Sequence, residues 1–137
     1  MMRAAAEAAG AGERRAKIIA VTVLTSLEDR DLPQIGVTDT ALNQAVRLAN
    51  LAKDSGLDGV VCSPHEIAAV RAACGPEFLI VTPGVRPAGG DLGDQKRVMT
   101  PRQAVEAGAD ILVIGRPITA APDPVRAAKD IAAELGH

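Results

Sequence analysis

The chain has 137 residues, is 47% hydrophobic and carries a net charge of −2. This length suits one domain with a real core, but a closed eight-stranded βα-barrel needs about 250 residues. The low charge and the single aromatic residue, Phe78, indicate neither a nucleic-acid nor a membrane partner, because no basic surface or stacking platform is encoded. Cys62 and Cys74 lack metal-ligand spacing and form no disulfide framework, so we expect a reduced, cytoplasmic protein without a metal.

The predicted elements alternate between strands and helices. An Ala-rich amphipathic helix over residues 1–11 comes first. Four runs rich in Val and Ile, at 18–23, 59–62, 78–82 and 111–114, do not alternate with polar residues. Such runs predict parallel strands that are buried on both faces.

Helix-start signals follow each of these strands. Thr38 or Asp39 is the predicted cap of a helix over 40–55, and Asp123-Pro124 opens a last helix that reaches about residue 135. Capping boxes begin at Ser63 and Thr100. A strand followed by a helix, four times over, predicts an α/β fold of about four βα units.

Two loops, residues 24–37 and 83–99, are longer than most βα connections. Both follow the carboxyl end of a strand, where barrel enzymes place their sites. Arg116 comes directly after Gly115, and Arg86 comes two residues after Gly84. A guanidinium can fork two hydrogen bonds onto a phosphate. One such arginine could equally form a surface salt bridge, but two in consecutive units favour phosphate binding.

Other polar residues on these loops give weaker signals. Thr25 could hydrogen-bond a ligand or cap an ordinary turn, and Gln95 could reach a phosphate or a ring carbonyl or remain solvated. Glu28, Asp29 and Asp31 are best interpreted as an acidic surface turn. No Ser/His/Asp arrangement is encoded, so the chain is predicted to be a binding half without a reaction centre.

Five segments carry a resemblance to a known family. They are residues 20–26 (Ala-Val-Thr-Val-Leu-Thr-Ser), 56–63 (Gly-Leu-Asp-Gly-Val-Val-Cys-Ser), 79–87 (Leu-Ile-Val-Thr-Pro-Gly-Val-Arg-Pro), 93–101 (Gly-Asp-Gln-Lys-Arg-Val-Met-Thr-Pro) and 113–118 (Val-Ile-Gly-Arg-Pro-Ile). In order and spacing the chain resembles the C-terminal half of bacterial-type orotidine 5'-phosphate decarboxylase.

The resemblance implies a (β/α)8 TIM barrel that works as a homodimer without metal or cofactor and converts orotidine 5'-phosphate to UMP and carbon dioxide. It implies that Thr25 contacts the pyrimidine, that Pro83 packs near the base, and that the phosphate grip is formed by Arg86, Gln95, Gly115 and Arg116. Residues 1–137 would then be a half-barrel that carries the nucleotide-phosphate-binding loops.

One departure from the family is large. The Asp-x-Lys-x-x-Asp pattern, whose lysine is implied to protonate the product carbanion, does not occur in this chain. We therefore expect the chain alone to be inactive, to lack the N-terminal half of the barrel and to self-associate. A truncated chain or a gene start at an internal methionine is the expected origin. A natural half-barrel that binds nucleotide phosphates without turnover is the alternative, and a sugar-phosphate enzyme of a related barrel group is a third hypothesis.

Overall fold

The computed structural model describes residues 1–11, 15–87 and 99–136. Its four strands form one parallel sheet in the order β1-β2-β3-β4. They are β1 (Ile19–Val21), β2 (Gly59–Val61), β3 (Leu79–Thr82) and β4 (Ile111–Leu112). The four predicted strands are confirmed, and the paired part of each is shorter than its apolar run.

Six α-helices accompany the sheet in the part of the chain that the structure describes. They are α1 (Met2–Gly10), α2 (Ala41–Asp54), α3 (Ile67–Cys74), α4 (Pro101–Glu106), α5 (Arg116–Thr119) and α6 (Pro124–Glu134). Short 3-10 turns lie at Leu32–Ile35 and Pro64–Glu66. The sequence patterns did not predict α5, because one turn of helix has no periodicity. No helix in the described parts of the chain is long and apolar enough to cross a membrane.

The helix starts are built largely as their sequences predict. Thr100 and Gln103 form the reciprocal capping box, with Thr100 N donating to Gln103 Oε1 at 3.0 Å and Gln103 N to Thr100 Oγ1 at 3.3 Å. The predicted cap of α2 was wrong by one or two residues. The cap is Thr40, whose Oγ1 accepts from Asn43 N at 3.2 Å.

One face of the sheet carries the main core. Side chains of β2 and β3 pack there against α2, α3 and α4, and Val60, Ile67, Val70 and Ile80 are fully buried. A second, smaller core joins the β1–α2 loop to α2 through Val23, Leu32, Ala41 and Ala45. The long first loop is therefore packed against the helix that follows it.

No helix of the described residues covers the other face of the sheet. Val21, Ile111 and Val113 are between 48% and 59% exposed, so the prediction of burial on both faces is wrong for β1 and β4. The helices cover only one side because each connection returns over the same face. At the centre, β2 and β3 approach closely: a Cβ on Gly59 would lie 2.3 Å from the Leu79 carbonyl oxygen.

Candidate functional site

Five of the six predicted site residues follow the carboxyl ends of strands at one edge of the sheet. The strands are parallel, so their carboxyl ends share that edge. Thr25 follows β1, Pro83 and Arg86 follow β3, and Gly115 and Arg116 follow β4. Gln95 lies outside the described residues, as do Lys96 and Arg97.

Arg86 is held firmly at the end of β3. It is only 7% exposed, and its Nη1 donates to the Val85 carbonyl oxygen at 2.8 Å. Its backbone N donates to the Met99 carbonyl oxygen at 2.9 Å, and Val85 forms a parallel bridge with Met99. The two ends of the segment 86–99 are therefore joined beside the guanidinium.

The end of β4 is more open. Gly115 and Arg116 are both exposed, and α5 begins at Arg116. The Gly115 carbonyl oxygen accepts from Ile118 N at 2.8 Å and from Thr119 N at 3.0 Å. A Cβ added to Gly115 would have no heavy atom within 4 Å. Local packing thus does not explain a glycine here, and the space in front of it is accessible.

Thr25 is buried, at 9% exposure, where the first long loop leaves β1. The acidic residues that follow it have structural partners. Asp29 Oδ1 accepts from Ala41 N at 2.7 Å, at the start of α2, and Asp31 Oδ2 accepts from Glu28 N at 2.8 Å. These bonds agree with the interpretation of the acidic cluster as a turn.

Two hydroxyl residues at the same edge were missed as site candidates. Ser63 lies two residues after the end of β2, and Thr82 is the last residue of β3. Both are fully buried, and their hydroxyls have no hydrogen-bond partner among the described residues. Ser63 was interpreted only as a helix cap, and its backbone N does donate to Glu66 Oε2 at 2.9 Å. A buried unsatisfied hydroxyl costs about 1–3 kcal/mol. The sequence signal that could have identified them is a hydroxyl residue at the carboxyl end of a predicted strand.

The described residues contain no cluster of three or more His, Cys, Asp or Glu side chains that could hold a metal ion. Burial raises the pKa of the Cys74 thiol, and Cys74 ends α3, at the opposite edge of the sheet. That thiol is therefore neither activated nor near the candidate site.

Comparison with known proteins identifies the family. Residues 1–131 match the model of the orotidine 5'-phosphate decarboxylase / HUMPS family. The chain is 60% identical over 141 aligned positions to an orotidine 5'-phosphate decarboxylase of Moorella thermoacetica, covering 98% of this chain and 56% of the relative. It is 58% identical over 118 positions to the Actinobacillus pleuropneumoniae enzyme of the same name, covering 86% of this chain and 51% of the relative.

Solved structures agree with the predicted fold. A crystal structure of orotidine 5'-phosphate decarboxylase from Lactobacillus acidophilus superimposes with a TM-score of 0.81 at 38% identity, over 100% of this chain and 58% of that one. The Pyrococcus horikoshii enzyme gives 0.64 at 26% identity, over 90% and 52%. The predicted half of a (β/α)8 barrel is thereby confirmed.

The chain spans about half the length of the curated relatives it matches. The match nevertheless runs through nearly all of its residues, from the first helix into the last. The chain therefore belongs to the orotidine 5'-phosphate decarboxylase / HUMPS family.

Proposed function

We propose that this chain supplies the nucleotide-phosphate-binding half of an orotidine 5'-phosphate decarboxylase, which converts orotidine 5'-phosphate to UMP and carbon dioxide in pyrimidine nucleotide synthesis. One observation carries the proposal: Arg86 and Arg116 follow adjacent parallel strands at the same edge of the sheet. The names of relatives at 58–60% identity favour this substrate over a sugar phosphate.

The two arginines differ in burial and can therefore contribute to phosphate binding in different ways. A guanidinium has five N–H donors in a fixed fork. Arg86 is buried and oriented by the Val85 carbonyl oxygen, so it can present its remaining donors without ordering a flexible side chain. Arg116 is exposed beside the open space at Gly115, where a phosphate oxygen can approach the backbone.

Two of the remaining proposed contacts, Thr25 and Pro83, follow β1 and β3 at the same edge. Thr25 hydrogen-bonds the pyrimidine, Pro83 packs near the base, and Gln95 and Gly115 complete the loop around the nucleotide. The buried hydroxyl of Ser63 is a further candidate for a polar contact. Cys62 and Cys74 are buried and form no disulfide with each other, which agrees with a cytoplasmic setting, where thiols remain reduced.

Phosphate binding by itself does not complete the reaction. Binding energy from a remote group can be used in the transition state, but the carbanion left by decarboxylation still needs a proton. The Asp-x-Lys-x-x-Asp pattern that would supply it is absent from this sequence. The same absence supports the second candidate function, a half-barrel that binds nucleotide monophosphates without turnover.

Calorimetric titration of UMP into the purified chain tests the binding site. We expect measurable binding, and Arg116→Ala should weaken it about 10- to 150-fold, the equivalent of losing a charged hydrogen bond worth about 1.5–3 kcal/mol. Arg126→Ala is the matched control, because Arg126 is an exposed arginine of α6 paired with Asp130.

Circular dichroism must show that each variant is folded. Equal affinities for the wild type and Arg116→Ala would remove Arg116 from the phosphate site. A folded wild-type chain that gives no heat with millimolar UMP would contradict both candidate functions.

A further inference from the structure

One face of the sheet presents an apolar row that is uncovered at both of its ends among the described residues. Val21, Val61, Val81 and Ile111 are register partners across the four strands, so their side chains point to the same side of the sheet. We call this side the open face. Val21 and Ile111, at the two ends of the row, are 59% and 48% exposed. The row therefore forms an apolar surface that reaches from one edge strand to the other.

Each edge strand has a single neighbour among the described strands. The order β1-β2-β3-β4 leaves the outer sides of β1 and β4 without a paired strand in that part of the chain. Natural proteins usually blunt such edges with charges, prolines or bulges, whereas β1 reads Ile-Ala-Val and β4 reads Ile-Leu. An apolar face between two such edges is typical of a surface that another polypeptide segment covers.

The opposite face of the sheet is packed by residues of this chain. Ala20, Val60 and Ile80 alternate along their strands with the apolar row, and Val60 and Ile80 are fully buried in the main core. The open face is therefore presented on a sheet that has its own core. Docking onto a preformed sheet costs less conformational entropy than docking that must first order the strands.

The relatives identify the segment that fits this surface. They are about twice the length of this chain, and the Lactobacillus acidophilus structure matches all of this chain with 58% of its own. Eight parallel strands close a barrel of this type, so the strands that this chain lacks lie beside both edges and across the open face. We call these strands and their helices the complementary half. We propose that this chain binds the complementary half of a family barrel as a separate polypeptide, through the open face and both edges.

The chemistry of the site favours this occupant over a second copy of the chain. A second copy would cover the same apolar surface, but it would bring a second Arg86 and Arg116 and no Asp-x-Lys-x-x-Asp segment. The complementary half is expected to carry that segment. Only this pairing places the proposed phosphate-binding residues and a proton donor in one barrel.

The nucleotide should strengthen the association of the two halves, an expectation that rests on the proposed function. Arg86 and Arg116 follow β3 and β4 at the carboxyl edge of the sheet, and further contacts to the nucleotide are expected from the complementary half. A ligand held by residues of both halves binds the assembled pair better than either half alone. By linkage, such a ligand stabilises the assembly.

Co-expression tests the docking directly. This chain, carrying an affinity tag, is produced together with the part of the Moorella thermoacetica relative that lies outside its match to this chain. Light scattering then measures the mass of the material that is purified through the tag. We expect a complex with one copy of each segment, heavier than the 14.1 kDa of this chain alone.

The same two segments joined by a Gly/Ser linker control for the folding of the relative's segment. A joined chain that folds, while the separate segments do not associate, would overturn the proposal. A dimer of this chain that the relative's segment does not displace would also overturn it, because the open face would then belong to a second copy.

Charged substitutions locate the interface. Val21→Glu should raise the dissociation constant of the complex at least about tenfold, because it would place a charge between the two halves. Val125→Glu is the matched control, since Val125 is 65% exposed but lies on α6. Ile111→Glu repeats the test at the other edge and keeps it decisive if Val21→Glu fails to fold. Unchanged dissociation constants for folded open-face variants would overturn the proposal.

UMP separates a failure of the docking from a failure of the proposed function. At saturating UMP the dissociation constant of the complex should fall about 5- to 150-fold, the usual range for coupled binding sites. A complex whose dissociation constant does not respond to UMP would support the docking surface and contradict the proposed nucleotide site.

Discussion

Arg71 shows how a single side chain can join several loops. Its guanidinium lies within hydrogen-bonding distance of the carbonyl oxygens of Gly75, Pro76 and Phe78, at 2.7–2.9 Å, and of Gly108, at 2.8 Å. It also forms an ion pair with Asp110 at 2.6 Å. The end of α3 is thereby tied to the start of β3 and to the turn before β4.

Arg71→Ala should lower the free energy of unfolding by about 1.5–3 kcal/mol, because it removes charge-assisted hydrogen bonds to backbone carbonyls that are mostly part-buried. Urea unfolding followed by circular dichroism measures the loss. The control Arg126→Ala removes an exposed i,i+4 pair with Asp130 and should cost at most about 0.5 kcal/mol. Similar losses for the two variants would contradict the bridging role of Arg71.

The start of α2 is stabilised by residues on both sides of its cap. Asp39 precedes Thr40 and accepts from Thr40 N and from Asn43 Nδ2, both at 2.8 Å. It also pairs with Arg47 at 2.8 Å. The pKa of the Asp39 carboxyl lies below its ordinary value of 3.8. The main cause is the side-chain hydrogen bond from Asn43, and the next is the hydrogen bond from the Thr40 N–H.

This lowered pKa has a defined consequence for acid stability. The contribution of Asp39 should be present above about pH 4 and lost as the pH falls through its lower folded-state pKa. Titration of the Asp39 carboxyl by NMR should give a value below 3.8. Asn43→Ala should move it back towards that value. An Asp39 pKa that is unchanged by Asn43→Ala would assign the shift to other groups.

The same kind of hydrogen bond joins two pairs of neighbouring strands, β1 with β2 and β3 with β4, near their amino ends. Asp58 precedes β2, and its Oδ2 accepts from Ile18 N at 2.8 Å. Asp110 precedes β4, and its Oδ2 accepts from Ile80 N at 2.7 Å. Each aspartate follows a glycine of positive φ, Gly56 or Gly108. In each Gly-x-Asp segment, one carboxylate therefore fixes the position of a strand relative to its neighbour: Asp58 links β2 to β1, and Asp110 links β4 to β3.

At the scale of the whole molecule, the chain has half the strands of a barrel and one part of the proposed site. The arginines that we propose bind the phosphate follow the last two strands, whereas no Asp-x-Lys-x-x-Asp segment is encoded. Ligand binding and proton transfer are thus expected to reside on different polypeptide segments.

The purified chain should therefore bind UMP but show no decarboxylation of orotidine 5'-phosphate above background, measured by the loss of substrate absorbance. The Moorella thermoacetica relative, which is named orotidine 5'-phosphate decarboxylase, serves as the positive control. Turnover by this chain that disappears in Arg116→Ala would contradict the prediction, because it would require a proton donor within these residues.

The sequence by itself determined the four strands, most helix starts and the location of Arg86 and Arg116 at the same edge of the sheet. These features follow from local information: apolar runs, capping residues and the rule that parallel strands end together. The same information could not find α5, which is a single turn, and it placed the cap of α2 too early because Thr38, Asp39 and Thr40 are all suitable capping residues.

Only the tertiary structure decided which apolar residues are covered. Val21 and Val60 are equally good strand residues, yet Val21 is 59% exposed and Val60 is fully buried. The tertiary structure also buried Arg86 and the hydroxyls of Ser63 and Thr82. The physical reason is that burial depends on packing between segments far apart in the chain, whereas hydrophobicity and capping act within a few neighbouring residues.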